Sequence, residues 1–314
     1  MTRIFCIGEL LIDFVAENQG NVLSKANNFT KKAGGAPANV ACAISKLGGK
    51  SSFIGCVGED SFGEYLLDVL KKEGVDISMS QRSKTFTTLA FVSIAEDGER
   101  DFVFNRGADE ELKYDPSIKK EFNRNIIHFG AATALLGGNL EKAYGHYLFD
   151  GLCNDSFISF DPNYRSDLWP ENETTFIKKC LPYIEKSHLC KFSLEEALLL
   201  SNKENVEEAC IYFHEIGAKI ITVTLGKEGT YVSTKNIKQT VPSIAVSPVD
   251  TTGAGDAFIG CLLYQITKLS NFNTILENSD DLLKMVLNAN KAGAITTTEF
   301  GAIAALPTLE ELEI

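Results

Sequence analysis

The sequence predicts an α/β protein, a mainly parallel sheet flanked by helices with a small antiparallel ribbon added to it. Three observations carry this. Short β-favouring apolar runs alternate with helix-period segments along most of the 314 residues, the pattern of a parallel sheet wrapped by helices. Residues 257–266 form a helical segment that is apolar on every face, which places it centrally rather than at the surface. Residues 85–106 break the rhythm with two β-favouring runs about Asp97-Gly98, a strong hairpin signal.

Taken in order, residues 4–7 give the first strand. Pro37 near the start and Gly48 just past the end bracket a helix through Val40, Ala43, Ile44 and Leu47. A strand is expected at 52–57. A second helix follows, with Phe62, Tyr65, Leu66, Val69 and Leu70 at helical spacing and Gly74 as its stop. Further strands are expected at 126–129, 157–160, 189–192 and 220–224, with helices between them. The ribbon lies early in the chain, beside Gly34-Gly35, and reads either as a lid over the carboxyl ends of the strands or as an edge hairpin. Residues 271–281 are the most linker-like stretch, and no internal repeat is present.

Composition narrows the partners. Lys+Arg of 30 against Asp+Glu of 42 gives a net charge of −12 without a basic run, which argues against nucleic acid and anionic membranes. An anionic substrate would have to be held by local backbone N–H groups, a metal ion and a few basic side chains. The eight cysteines are scattered with no Cys-x-x-Cys pair, so they read as buried thiols in a reducing compartment. No apolar run approaches about 18 residues, and a cytoplasmic protein is expected.

The most informative stretch is Val249-Asp250-Thr251-Thr252-Gly253-Ala254-Gly255-Asp256-Ala257-Phe258. Gly253 and Gly255 let the backbone turn with φ > 0 and bring N–H groups close to an anion, at the positive end of a helix dipole. A carboxylate at Asp256 repels phosphate, yet suits a base that takes the proton of an attacking hydroxyl. The same residues also fit a plain helix start with Asp256 as a cap. The apolar helix that follows gives the turn a buried anchor.

Beyond this turn, Gly34-Gly35-Ala36-Pro37-Ala38-Asn39-Val40-Ala41 and Asp161-Pro162-Asn163-Tyr164-Arg165 join Asp250-Thr251-Thr252-Gly253-Ala254-Gly255-Asp256 in the expected order. Together they resemble the signatures of the ribokinase-like (PfkB) carbohydrate kinases, and within that family bacterial fructokinases above all. The likeness runs from Gly8-Glu9 to Leu306-Pro307, nearly the whole chain. It implies one Rossmann-like, ribokinase-like domain over 1–314 with a β lid formed mainly by about 14–33 and 85–108, often dimeric through that lid. The implied activity is transfer of the γ-phosphoryl group of ATP, with Mg2+, to a sugar hydroxyl by direct in-line attack.

The resemblance also assigns residues. Asp256 matches the base, and the backbone of Gly253, Ala254 and Gly255 the anion cradle. Asp13 matches an acidic residue that accepts sugar hydroxyls, though a strand-end cap fits it too; Gly34, Gly35 and Asn39 match the sugar-cradling turn. Arg106 matches a lid arginine, but Arg106-Gly107-Ala108-Asp109 lacks the proline-containing insertion usual there. Arg165 matches an arginine near the transferring phosphate. On the nucleotide side, Ser193 and Glu196 match a phosphate- and magnesium-organising segment and equally fit a capping box. Thr224, Gly226 and Gly229 match the turn under the ATP phosphates and ribose, and Asn290 a residue beside adenine. Asp250 and Thr252, with backbone near Gly301, match positions where relatives hold a monovalent cation such as K+, while an Asx turn explains Asp250 as well.

The acceptor implied is D-fructose, converted to fructose 6-phosphate. Ala36 stands where kinases of sugar phosphates carry lysine. Ribose, 2-keto-3-deoxygluconate and a riboside are the alternatives, and a sugar- or nucleotide-sensing protein is the reading outside enzymes. A hairpin with apolar residues on both faces suggests that one face meets a partner subunit or the ligand, and a homodimer is expected.

Overall fold

The computed structural model describes residues 2–17, 20, 22–94, 100–272 and 274–313. Strand β1 (Arg3–Ile7) leads through Gly8 and Glu9 into β2 (Leu11–Ala16), which pairs antiparallel with β3 (Phe29–Gly34). Helix α1 (Ala36–Lys46) starts on Pro37, whose fixed φ suits a first turn. The expected strand at 52–57 is two strands, β4 (Lys50–Ile54) and β5 (Cys56–Gly58), broken at Gly55. A Cβ at Gly55 would lie 2.5 Å from Gly8 O, so the chain bends where the two backbones touch. Helix α2 (Ser61–Lys72) is capped by Asp60, which accepts from Phe62 N and Gly63 N. Strand β6 (Gln81–Ser83) pairs with β5.

The ribbon consists of β7 (Leu89–Ile94) and β8 (Arg100–Asn105), antiparallel, while its turn signal Asp97-Gly98 lies outside the described residues. It is no free hairpin. β7 pairs parallel with β2, so β3-β2-β7-β8 form one four-stranded sheet.

The main sheet continues with β9 (Ile126–Gly130), α3 (Gly138–Cys153), β10 (Phe157–Asp161), α4 (Glu173–Lys186), β11 (Leu189–Ser193), α5 (Leu194–Ser201), α6 (Val206–Ile216) and β12 (Ile220–Thr224). Strands β13 (Thr230–Ser233) and β14 (Lys238–Val241) add an antiparallel edge, and α7 (Ala254–Ile266) crosses the centre. The linker-like stretch holds α8 (Thr274–Glu277) and the start of α9 (Ser279–Thr296), because Asn278 caps α9 by accepting from Asp281 N; α10 (Leu309–Leu312) closes the chain.

Strand order is β14-β13-β12-β11-β10-β9-β1-β4, parallel from β12 to β4. The order reverses at β1, whose neighbours β4 and β9 lie on opposite sides. The carboxyl end of such a switch strand opens a crevice, and Gly8-Glu9 sits there. Two cores flank the sheet, one under α1, α7 and α9 and one under α3 to α6. On the α7 side the strands begin apolar, with Ile126, Phe157 and Leu189, and turn polar one row up, with His128, Ser159 and Lys191. This change of polarity marks where the site begins. Seven cysteines are buried, and Cys153, against expectation, is exposed because it ends the outer face of α3.

Candidate active site

Gly253 caps α7 with φ +81, and a Cβ there would lie 2.6 Å from Ala302 Cβ, so both turn and space demand glycine. The helix begins at Ala254, three residues before the apolar run, and its first N–H groups lack intrahelical acceptors. Asp256 stands in this first turn, 8% exposed, and its Oδ2 accepts from Asn39 Nδ2 at 2.8 Å. Asn39 reaches it because Gly260 lets α7 approach α1; a Cβ there would be 2.6 Å from Ala43 Cβ. Burial raises the Asp256 carboxyl to about 6, against the Asn39 hydrogen bond and with help from Asp161. Asn39 Oδ1 is buried without a partner among the described residues.

Beneath the turn, Lys191 Nζ pairs with Asp161 Oδ2 at 3.0 Å, both side chains buried. A Cβ at Gly255 would be 2.9 Å from Lys191 Nζ, so the ammonium underlies the helix start. Burial works against this charge, but Asp161 and Glu196 outweigh it and raise the lysine's pKa. Motif reading passed over Lys191. A lysine inside Leu189-Cys190-Lys191-Phe192 was the available signal, since a charge in a buried strand requires a counter-ion. His128, one row away, shares a hydrogen bond with Ser159 Oγ at 3.0 Å and is held neutral by burial, with a pKa of about 3.

The opposite wall belongs to the small sheet. Asp13 on β2 lies over Gly34, where any Cβ would overlap Asp13 Oδ2. Gly35 has φ +111 and passes so close to Glu9 O that a Cβ would be 2.5 Å away. Burial raises Asp13 to about 6, and Arg165 and then Lys32 oppose this. Arg165 also acts on Asp256, so one guanidinium serves both carboxylates. It donates to Tyr164 O (2.8 Å) and to Oδ1 of Asn163 (3.2 Å), whose φ of +47 turns the chain after β10. Glu9, fully buried, accepts from Ala36 N at 3.1 Å, and burial lifts it to about 7.

Arg106 and Asn290, among the other expected residues, make internal hydrogen bonds. Arg106 donates through Nη2 to Thr133 O and Gly137 O, both at 3.1 Å, and through Nε to Asp109 at 3.4 Å. These contacts hold the guanidinium on the body. Asn290 is likewise engaged internally, accepting from Thr230 Oγ1 (2.6 Å) and donating to Val241 O (2.9 Å) and Pro242 O (3.1 Å). It ties α9 to β13 and β14, a role that its buried amide explains. Ser193 and Glu196 form the capping box, and Glu196 Oε1 accepts from Tyr164 N at 2.8 Å, so both oxygens face backbone donors. Thr224 ends β12, and Gly226 (φ +60) and Gly229 (φ +105) frame the turn after it. Asp250 forms the Asx turn with Thr252, while its Oδ2 accepts from Gly301 N at 2.9 Å. Burial would raise this carboxyl, but those hydrogen bonds prevail and lower it. No cluster of three or more His, Cys, Asp or Glu side chains suited to a metal occurs among the described residues.

A mostly parallel sheet flanked by helices, bearing a glycine-flanked helix start with a buried carboxylate in its first turn, is the architecture of an ATP-dependent carbohydrate kinase of ribokinase-like fold. The profile described as "pfkB family carbohydrate kinase" matches residues 1–309, and the chain belongs to that family. Probable fructokinase-4 of Arabidopsis thaliana is 37% identical over 318 residues, covering 99% of this chain and 95% of that protein. A Vibrio cholerae O395 fructokinase crystallised with fructose, ADP and calcium ion superposes with a TM-score of 0.86 at 31% identity, covering 100% of this chain and 98% of the other. For Xylella fastidiosa fructokinase with bound ATP the TM-score is 0.87 at 28% identity, covering 99% and 97%.

Proposed function

We propose that the protein transfers the γ-phosphoryl group of ATP to a primary hydroxyl of D-fructose, giving fructose 6-phosphate and ADP. The observation that carries this is Asp256, a buried carboxylate aimed by Asn39 at the start of a helix whose first N–H groups lack intrahelical acceptors. Asp13 accepts sugar hydroxyls, and Gly34 and Gly35 leave room for the ring. Asn39 Oδ1 accepts one further hydroxyl. The acceptor oxygen attacks the γ-phosphorus in line as the bond to the β-phosphate oxygen breaks, and its proton passes to Asp256. N–H groups from Gly253 to Asp256, with Lys191 and Arg165, stabilise the charge on the migrating group. The Thr224–Gly229 turn supports the nucleotide.

Mg2+, when bound, supplies neutralising charge on the phosphate oxygens. The side chains fit a metal carried by phosphates and water, since both Glu196 oxygens already accept from backbone N–H groups. For K+ the fit is through backbone carbonyls of the Thr252 and Gly301 turns, because the Asp250 oxygens accept from Thr252 and Gly301.

The small sheet acts as the lid, formed by about 14–33 and 85–108, and excludes water on closing. Val15, Val92 and Phe102 form one row across it, with Phe104 on the same face, and we assign the homodimer contact to this face. No helix among the described residues is long and apolar enough to cross a membrane; the free cysteines support a reducing cytoplasm.

The test is ADP release against fructose, ribose, 2-keto-3-deoxygluconate, adenosine and fructose 6-phosphate, with and without K+. Turnover is expected to be fastest with fructose. Preference for another acceptor reassigns the substrate, and no ADP with any of them favours a sensing protein. Asp256→Asn is expected to lower kcat by roughly 10²–10⁴-fold with ATP affinity kept, and near-normal turnover would remove Asp256 from the chemistry.

A further inference from the structure

We propose that Lys32 is a positioning residue for the acceptor: from β3 it holds the Asp13 carboxylate by charge and seats the small sheet on the Phe300-Gly301 turn of the body. The proposal rests on the reading of Asp13 as the sugar-binding carboxylate. Its basis is placement. Asp13 and Lys32 are direct partners across β2 and β3, so their side chains rise from the same face of the sheet. Lys31 points the other way, with Nζ 3.7 Å from the centre of the Tyr65 ring, and packs the sheet onto α2. The two adjacent lysines therefore serve opposite faces, and only Lys32 shares the one that carries Asp13.

The far end of Lys32 rests on the body. Its Nζ is 5.6 Å from the centre of the Phe300 ring, and a Cβ at Gly301 would lie 3.2 Å from Nζ and 3.3 Å from Cδ. Gly301 has φ +94 and donates its N–H to Asp250, so the turn under the lysine is fixed. Phe300, 58% exposed, is thereby a shelf for an ammonium group rather than an idle apolar surface. None of the ion pairs among the described residues includes Lys32, and its charge acts on Asp13 and on Asp250.

The consequence is chemical. Ionised Asp13 accepts hydroxyl hydrogen bonds through both oxygens and holds them more strongly, and burial opposes ionisation. Two cations counter that burial, Arg165 from the turn after β10 and Lys32 from β3. Losing Lys32 leaves Arg165 alone and unseats the sheet from the turn.

The experiment is titration calorimetry of fructose without ATP from pH 5 to 8, with steady-state kinetics alongside. Lys32→Met and Lys32→Gln are expected to weaken fructose binding about tenfold and to move the acid-side loss of affinity up by about one pH unit. The ATP KM should stay unchanged and kcat should hold within about twofold, while Lys32→Arg restores both fructose readouts. Asp13→Asn separates the two ideas. If it weakens fructose binding while both uncharged Lys32 variants bind normally at every pH, the role of Lys32 is overturned and Asp13 stands. Unchanged binding in Asp13→Asn overturns the reading of Asp13 itself.

Discussion

Asp256 is held between opposing forces whose balance has a kinetic signature. Burial raises it to about 6, and the Asn39 hydrogen bond is the largest influence in the other direction. As a base it works ionised, so kcat is expected to rise with pH through about 6 and to fall below it. Asn39→Ala removes the lowering contact and should move this limb upward by up to about one unit; a pH profile of kcat checks it. Among single residues, Gly253 was legible from its backbone demand, whereas Gly255, read the same way, has no positive φ and lies inside the first turn of α7. Residues defined by their partners were not legible. Asn290 looked available for a ligand and is engaged by Thr230, Val241 and Pro242, and Arg106 is fixed by carbonyls far from it in sequence.

Among the elements, two close approaches build the site. Gly260 brings α7 against α1, which delivers Asn39 to Asp256, and Gly34 brings β3 under Asp13. Gly34 has no positive φ, so alanine is conformationally allowed there and the cost falls on the carboxylate it displaces. Gly34→Ala is therefore expected to raise the fructose KM by roughly tenfold or more while leaving the ATP KM and the thermal midpoint nearly unchanged. Kinetics with both substrates and a melting curve decide it. The sequence made the ribbon evident through its alternating residues, but not its attachment. Only the pairing of β7 with β2 makes it part of the sheet that carries Asp13.

For the molecule as a whole, the reversal of strand order at β1 puts a fully buried Glu9 at the crevice. Its pKa of about 7 lies above the ordinary carboxylate value, so the folded state holds a proton that the unfolded chain releases earlier. That contribution to stability is complete below about pH 4.5 and is lost as pH rises through about 7. Glu9→Gln should accordingly gain stability relative to the parent by roughly 1–3 kcal/mol between pH 5 and pH 8. Denaturant titrations of both proteins at the two pH values measure the difference. An equal gap at both would show that Glu9 does not titrate in the folded protein.

The sequence alone determined the alternation of strands and helices, the central position of α7, and the glycine turn before Asp256, because these follow from periodicity and from backbone conformations that few residues adopt. Tertiary structure decided which residues meet. The pairing of Lys191 with Asp161, the Asn39 contact with Asp256, and the reach of Lys32 to Gly301 join residues distant in the chain. Such encounters depend on strand order and on how closely helices pack, and no local pattern encodes either.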